Sequence, residues 1–188
     1  GIFTIFGDKH PEKLNSLVMS KNHEIAKLFE EMADLLELTG ANAFRVNATR
    51  RVARTLEELP CDIAEMHGDP KKITAIDGIG SGSAGRIIEY LEESQISELD
   101  ALRAKVPAGL KQVLLVPGLG PKTVATLWKE ADVTDLESLR KAIDSGALEM
   151  LPRMGKKTVE NIRQSLDFVA TASTRYRLDQ GLKEAESI

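Results

Sequence analysis

Apolar residues recur along this chain at helical spacing and almost nowhere in strict alternation. Ile25, Leu28, Phe29, Met32, Leu35 and Leu36 follow i, i+3, i+4, i+7 intervals, which predicts an amphipathic helix that Gly40 can stop. Phe44, Ala48, Val52 and Leu56 form a second stripe at i+4, ended by Pro60. "DIAEMHGDP" reads as a short helical turn closed by Gly68 and Pro70, and Thr134 with Glu137 reads as a capping box opening "LESLRKAI", which Gly146 ends. No run of alternating β-branched residues lies between turn signals, so strands are not expected. The pattern predicts an all-α protein of two small helical domains.

An internal repeat organises those helices. "AIDGIGSGSAGRI", "LVPGLGPKTVATL" and "MLPRMGKKTVENI" superimpose without gaps, with central apolar residues Ile79, Leu119 and Met154 spaced 40 and 35 residues apart. Helical sequence precedes each copy: "DPKKITAI", "PAGLKQVLLV" and "DSGALEML". The shared pattern is h-x-G-h-G-x-x-x-A-x-x-h, that of a helix-hairpin-helix.

These residue types suit phosphate binding. Gly78, Gly80, Gly118 and Gly120 permit positive φ and a hairpin of a few residues, and without a Cβ they let backbone N–H groups come against a phosphate. The next helix starts inside the hairpin, at Ser81 and Gly82 or at Lys122 and Thr123, so its unpaired N–H groups and positive dipole end face the same anion. The central apolar residue is expected to turn inward and pin the loop. Lys122, Lys156 and Lys157 sit in first turns, where the dipole disfavours cations by a few tenths of a kcal/mol unless an anion is bound. Such a grip positions a strand without reading its bases. In the third copy Arg153 replaces the first glycine, while Gly155, Lys156 and Lys157 remain. Two outcomes stay open there: a remodelled, structural hairpin, or a guanidinium that takes over the contact.

Composition at first sight opposes this reading. The 188 residues carry a net charge of −4, with 42% hydrophobic, 29% charged and only 4% aromatic residues. The charge is unevenly spread, however. Residues Glu24 to Glu37 sum to −4, Gly40 to Arg54 to +4, and Leu151 to Arg177 to +4, so basic surface gathers near the motifs. No apolar run approaches the roughly 20 residues that span a bilayer. One cysteine, Cys61, excludes an internal disulfide framework and suits a reducing, cytoplasmic setting. Gly1 to Val18 has an apolar patch but no basic n-region, so it is no secretory signal; Met19 reads as a natural start, and the leader is expected to stand outside the fold.

Competing motifs are weaker. "GIGSGSAG" suggests a dinucleotide site, which needs a preceding strand and a later acidic residue, whereas helix precedes it here. A Walker loop would need Gly-Lys-Ser/Thr, and His10, His23 and His67 lack metal-ligand spacing.

From about Lys21 to Ile188 the chain resembles the N-terminal part of bacterial family X DNA polymerases. The resemblance is carried by "ANAFRVNATRRVARTLEELP", "ITAIDGIGSGSAGRIIEYL", "LRAKVPAGLKQVLLVPGLGPKTVATLW" and "LPRMGKKTVENI". It implies a lyase-like helical domain over 19–95 and a second helical domain over 96–188, leading toward catalytic polymerase domains of a longer parent chain. It implies DNA repair as the setting and gapped or nicked DNA as the partner. The first hairpin would hold the downstream strand, with a 5′-phosphate pocket drawn from Arg45, Arg50, Lys72 and Arg86, and the second would hold the primer strand. It further implies a monovalent cation, K⁺ or Na⁺, at each hairpin, on the carbonyls of Thr74, Ile76 and Ile79 and of Leu114, Val116 and Leu119.

Two departures shape the expected chemistry. The family's Mg²⁺-binding aspartates belong to a palm expected beyond this chain, which alone should not polymerise DNA. Where the beta-type enzymes carry a Schiff-base lysine this chain has Arg86, a poor amine nucleophile, with Lys71 and Lys72 upstream as conceivable substitutes. A DNA-binding module therefore stands against a 5′-deoxyribose-phosphate lyase, and a helical protein-interaction module is the third alternative.

Overall fold

The computed structural model describes residues 21–168, and within them every regular element is helical. The expected leader, His10, Arg175 and Arg177 lie outside the described residues. In chain order the α-helices are α1 (Lys21–Leu38), α2 (Ala43–Glu58), α3 (Pro70–Thr74), α4 (Ser81–Glu93), α5 (Ser97–Lys105), α6 (Leu110–Leu114), α7 (Pro121–Ala131) and α8 (Leu136–Asp144), followed by α9, helical over residues 156–168. Single 3₁₀ turns occupy Ile63–Met66 and Ala147–Met150. No described helix is long and apolar enough to cross a membrane.

Two compact units make up the described chain. The first takes residues 21–31 and Asn47–Ile96, and the second takes Met32–Val46 and residues 97–168, so α1 and α2 each contribute to both.

The first unit is closed by polar stitches around an aliphatic core. Ile25, Phe29, Val52, Leu56, Ile63, Ile73 and Ile87 are almost fully buried. Asn22 is buried too, and it is satisfied: its amide donates to the Cys61 carbonyl at 2.7 Å and its oxygen accepts from the Ile63 N–H at 2.7 Å. The Tyr90 hydroxyl donates to the Glu24 carboxylate, and Lys21 bonds the same carboxylate at 2.7 Å. Lys21 and Tyr90 hold Glu24 below its ordinary pKa, while burial and the carboxylate push Tyr90 up to about 12. The carboxylate's contribution to stability is thus lost as pH falls into the acid range, and the phenol's as pH rises from about 10 to 12.

Two sequence expectations shift register. On α2 the buried face is Val46, Thr49, Val52, Ala53 and Leu56, whereas Phe44 is 85% exposed and Ala48 is exposed. A strict i+4 stripe drifts by about 40° per step, because a turn holds 3.6 residues, and so cannot stay on one face over three steps. The capping box of α8 is Asp135 with Ser138, not Thr134 with Glu137. Asp135 accepts from the Ser138 N–H at 2.7 Å, and Ser138 Oγ accepts from the Asp135 N–H at 3.0 Å. The stop after α1 is as expected: Gly40 holds φ +80, and Ala41 donates back to the Leu36 carbonyl at 2.8 Å.

In the second unit the entry to α6 is packed tightly against the α8 cap. A Cβ on Gly109 would lie 2.5 Å from the Thr134 carbonyl oxygen and 2.6 Å from Asp135 Cβ, although the φ of −66° suits any residue. Gly109→Ala is therefore expected to destabilise the protein by about 1–3 kcal/mol, as overpacking against fixed backbone does. Thermal denaturation followed by circular dichroism checks this, and an unchanged melting temperature would contradict it.

Candidate nucleic-acid interface

Three hairpins share one backbone design. In each, the central apolar residue donates its N–H to the carbonyl three residues back: Ile79 to Ile76 at 3.0 Å, Leu119 to Val116 at 3.0 Å and Met154 to Leu151 at 3.2 Å. Those side chains turn inward, with exposures of 3%, 5% and 5%. The next helix then supplies its own buried pair, Ala84 and Ile87, Val124 and Leu127, or Val159 and Ile162. The third copy differs in its entry, which is the 3₁₀ turn Ala147–Met150 instead of an α-helix.

The two glycines of a hairpin have different tasks. Gly78 and Gly118 hold φ +90 and +89, the left-handed region that L-residues avoid. Gly78 is also crowded, since a Cβ there would meet Thr55 Oγ1 at 2.7 Å. Gly80 and Gly120 do not adopt the positive φ expected of them. They are extended, at φ −77, ψ 168 and φ −84, ψ 165, because each is the N-cap of its following helix. A Cβ at either would meet nothing within 4 Å, and neither residue supplies a side-chain cap. Neither conformation nor internal packing thus demands glycine at these positions. Serine would fit and would cap better.

What glycine leaves at each N-cap is open space in front of a helix start. The N–H groups of Ser81, Gly82 and Ser83, and of Lys122 and Thr123, belong to first turns and have no partner within their helices. Pro121 at the first position of α7 costs nothing there, since its missing N–H would be unpaired anyway. Gly155 takes the same role in the third copy, accepting from the Thr158 and Val159 N–H groups at 2.9 and 3.1 Å, again with nothing within 4 Å of its Cβ position.

Cations gather around these starts. Arg86, one turn along α4, folds back so that its Nη1 lies 3.6 Å from the Cβ position of Gly82. Lys122 is exposed in the first turn of α7, and Lys156 and Lys157 are exposed at the start of α9. Arg153 holds φ +67 where the other copies have glycine, so the third hairpin is not remodelled. Keeping an L-residue there costs roughly 1–2 kcal/mol. Of the remaining candidates for a 5′-phosphate pocket, Lys72 is exposed on α3 and Arg50 is half-buried in the first unit, while Arg45 belongs to the second unit and is ion-paired with Glu98.

Sequence reading counted Arg51 and Arg54 only within a basic stretch and gave no role to Thr55 and Glu58 beside the first hairpin. Arg51, Arg54, Thr55, Glu58 and Asp77 border a cleft of about 390 Å³ beside the first hairpin, with Arg51 3.4 Å from Asp77. Their helical spacing on α2 was the available signal, obscured by assigning its buried face to Phe44 and Ala48.

Four of the six carbonyls that the resemblance implies for a cation keep free acceptor capacity. Thr74 and Leu114 end α3 and α6, where final carbonyls lack helical partners, and Ile76 and Val116 each accept one N–H, leaving a second lone pair. A set of neutral oxygens fits a hard alkali cation better than a transition metal. Such an ion would supply positive charge beside a bound phosphate.

The division of labour between glycines is testable on stability alone. Gly80→Ser and Gly120→Ser should leave the protein as stable as the parent or a few tenths of a kcal/mol more so. Gly118→Ser should cost about 1–2 kcal/mol. Chemical denaturation midpoints measure both, and equal losses at Gly118 and Gly120 would contradict the assignment.

Comparison with known proteins agrees with this geometry. Residues 20–96 match the family model described as a helix-hairpin-helix domain, and residues 110–167 match a SAM-like helix-hairpin-helix tandem. The chain is 36% identical over 165 residues to the DNA polymerase/3'-5' exonuclease PolX of Bacillus subtilis (strain 168). That match takes in 88% of this chain and 28% of the relative's length. With both helix-hairpin-helix regions in place, the chain belongs with the N-terminal part of the family X DNA polymerases.

Proposed function

We propose that this chain holds DNA by its sugar-phosphate backbone, without sequence preference, as the DNA-binding part of a family X polymerase acting in repair in the cytoplasm. The observation that carries the reading is the pair Gly80 and Gly120: extended, sterically unconfined and placed as N-caps where serine would serve the fold better. Glycine at such a site leaves room for something outside the chain to come close. The partner that matches a helix start with exposed N–H groups and adjacent cations is a phosphate.

Gapped or nicked DNA is the substrate form we favour, with catalytic domains of the parent protein doing the polymerisation. The first hairpin, with Arg86 folded over its helix start, takes the 5′-phosphate side, and the second takes the other strand. K⁺ or Na⁺ on the carbonyls of Thr74, Ile76 and Ile79, and of Leu114, Val116 and Leu119, would strengthen each grip. Fluorescence anisotropy with a labelled single-nucleotide-gap duplex tests this. The 5′-phosphorylated gap should bind more tightly than its dephosphorylated twin, and base sequence should not matter. Gly80→Val and Gly120→Val should lose binding while keeping most helicity. Equal affinity for the two gap ends would remove the 5′-phosphate assignment, and parental binding by both variants would remove the backbone mechanism.

Arg86 also bears on lyase chemistry. A guanidinium can clamp a phosphate bidentately but forms no imine with an aldehyde. Incubation with an incised abasic duplex and sodium borohydride is expected to give no strong covalent protein–DNA band. A band abolished by Lys72→Ala would make the chain an enzyme in its own right.

A further inference from the structure

The third hairpin breaks the sequence pattern yet keeps the backbone, with Arg153 at φ +67 in the place of Gly78 and Gly118. An arginine held in a region that glycine occupies freely points to a use for its side chain. Arg153 lies on the wall of a groove of about 150 Å³ between α7 and the third hairpin. Lys122 and Thr123 from the first turn of α7 line it, with Thr158 from α9 and an apolar floor of Met154 and Ile162.

Among the described residues, no carboxylate lines this groove to balance its cations. Several cations elsewhere in the second unit meet carboxylates: Arg45 with Glu98, Arg103 with Asp100, Arg140 with Asp167, Lys141 with Glu137 and Arg163 with Asp144. Among the described residues, no carboxylate pairs with Lys122 or Arg153, and none lines the groove. Two unmatched cations, three threonine hydroxyls and a concave surface select a small anion with several acceptor oxygens. Next to a helix start already suited to a strand, that anion is a phosphodiester.

We propose that this groove is a phosphate seat of its own, in which Arg153 and Lys122 together hold one backbone phosphate. The third hairpin is then a working grip, with a guanidinium added beside the open helix start that Gly155 leaves. The proposal rests on the DNA-binding reading above and extends it to a site that the glycine pattern does not mark.

The test is anisotropy on the single-nucleotide-gap duplex at several KCl concentrations, with the parent chain, Arg153→Gly, Lys122→Ala and the double variant. Arg153→Gly should weaken binding about tenfold, as loss of a charge-assisted hydrogen bond does. It should also reduce the slope of log affinity against log salt by about one. Its melting temperature should hold or rise, because glycine relieves the backbone, so the loss cannot come from unfolding. Arg153→Asn, also tolerated at left-handed φ, should lose affinity alike. The double variant should lose less than the product of the single losses, since both side chains serve one phosphate. Parental affinity and salt slope in Arg153→Gly, with binding still lost in Gly120→Val, would overturn this seat and leave the two-hairpin reading intact. A parent chain that binds no DNA would remove that reading and this proposal together.

Discussion

Everything in the candidate interface depends on one inward side chain per hairpin. Ile79, Leu119 and Met154 are each at most 5% exposed, and each donates its N–H to a carbonyl three residues back. Burial of a side chain of this size is worth on the order of 1.5–3 kcal/mol. It fixes the depth of the loop between its two helices, and the short hydrogen bond fixes its curvature. With both set, the next residue becomes the N-cap of the following helix, whose first N–H groups have no partner within that helix.

That constraint explains why the protein needs so little positive charge. A binder built on lysine and arginine alone would be basic overall, whereas this chain carries −4. The helix starts supply partial positive charge through the backbone, and a few side chains add to it locally. Several other cations are spent on carboxylate neighbours: Arg163 on Asp144, Arg140 on Asp167, Arg51 on Asp77. The third hairpin shows the same design under different chemistry. It enters through a 3₁₀ turn and carries arginine at the left-handed position, yet its central bond and buried methionine are unchanged. Backbone geometry is therefore what the three copies have in common, and the glycine pattern is only its usual sequence trace.

The match to the Bacillus subtilis polymerase/exonuclease covers 28% of that protein. What the present chain contributes within such a protein is best understood as positioning. Phosphate grips set where a strand lies and leave its sequence unread.

Sequence alone determined the elements and the repeat, because helical periodicity and glycine punctuation are local. The span from α1 to Gly40, the three hairpins and their inward residues were all legible in that way. Tertiary structure decided which glycines are conformational and which are spatial: Gly78 and Gly118 have positive φ, while Gly80 and Gly120 are extended with empty space before them. It decided that Arg153 keeps the hairpin, and that Gly109 is required by a carbonyl 25 residues away at Thr134. It also turned Phe44 outward, since the face that α2 buries is chosen by what packs against it. These outcomes share a physical cause. A residue's dihedral angles and the space around its Cβ depend on atoms distant in the chain, and one-dimensional spacing records only the residues that meet that demand, not the demand itself.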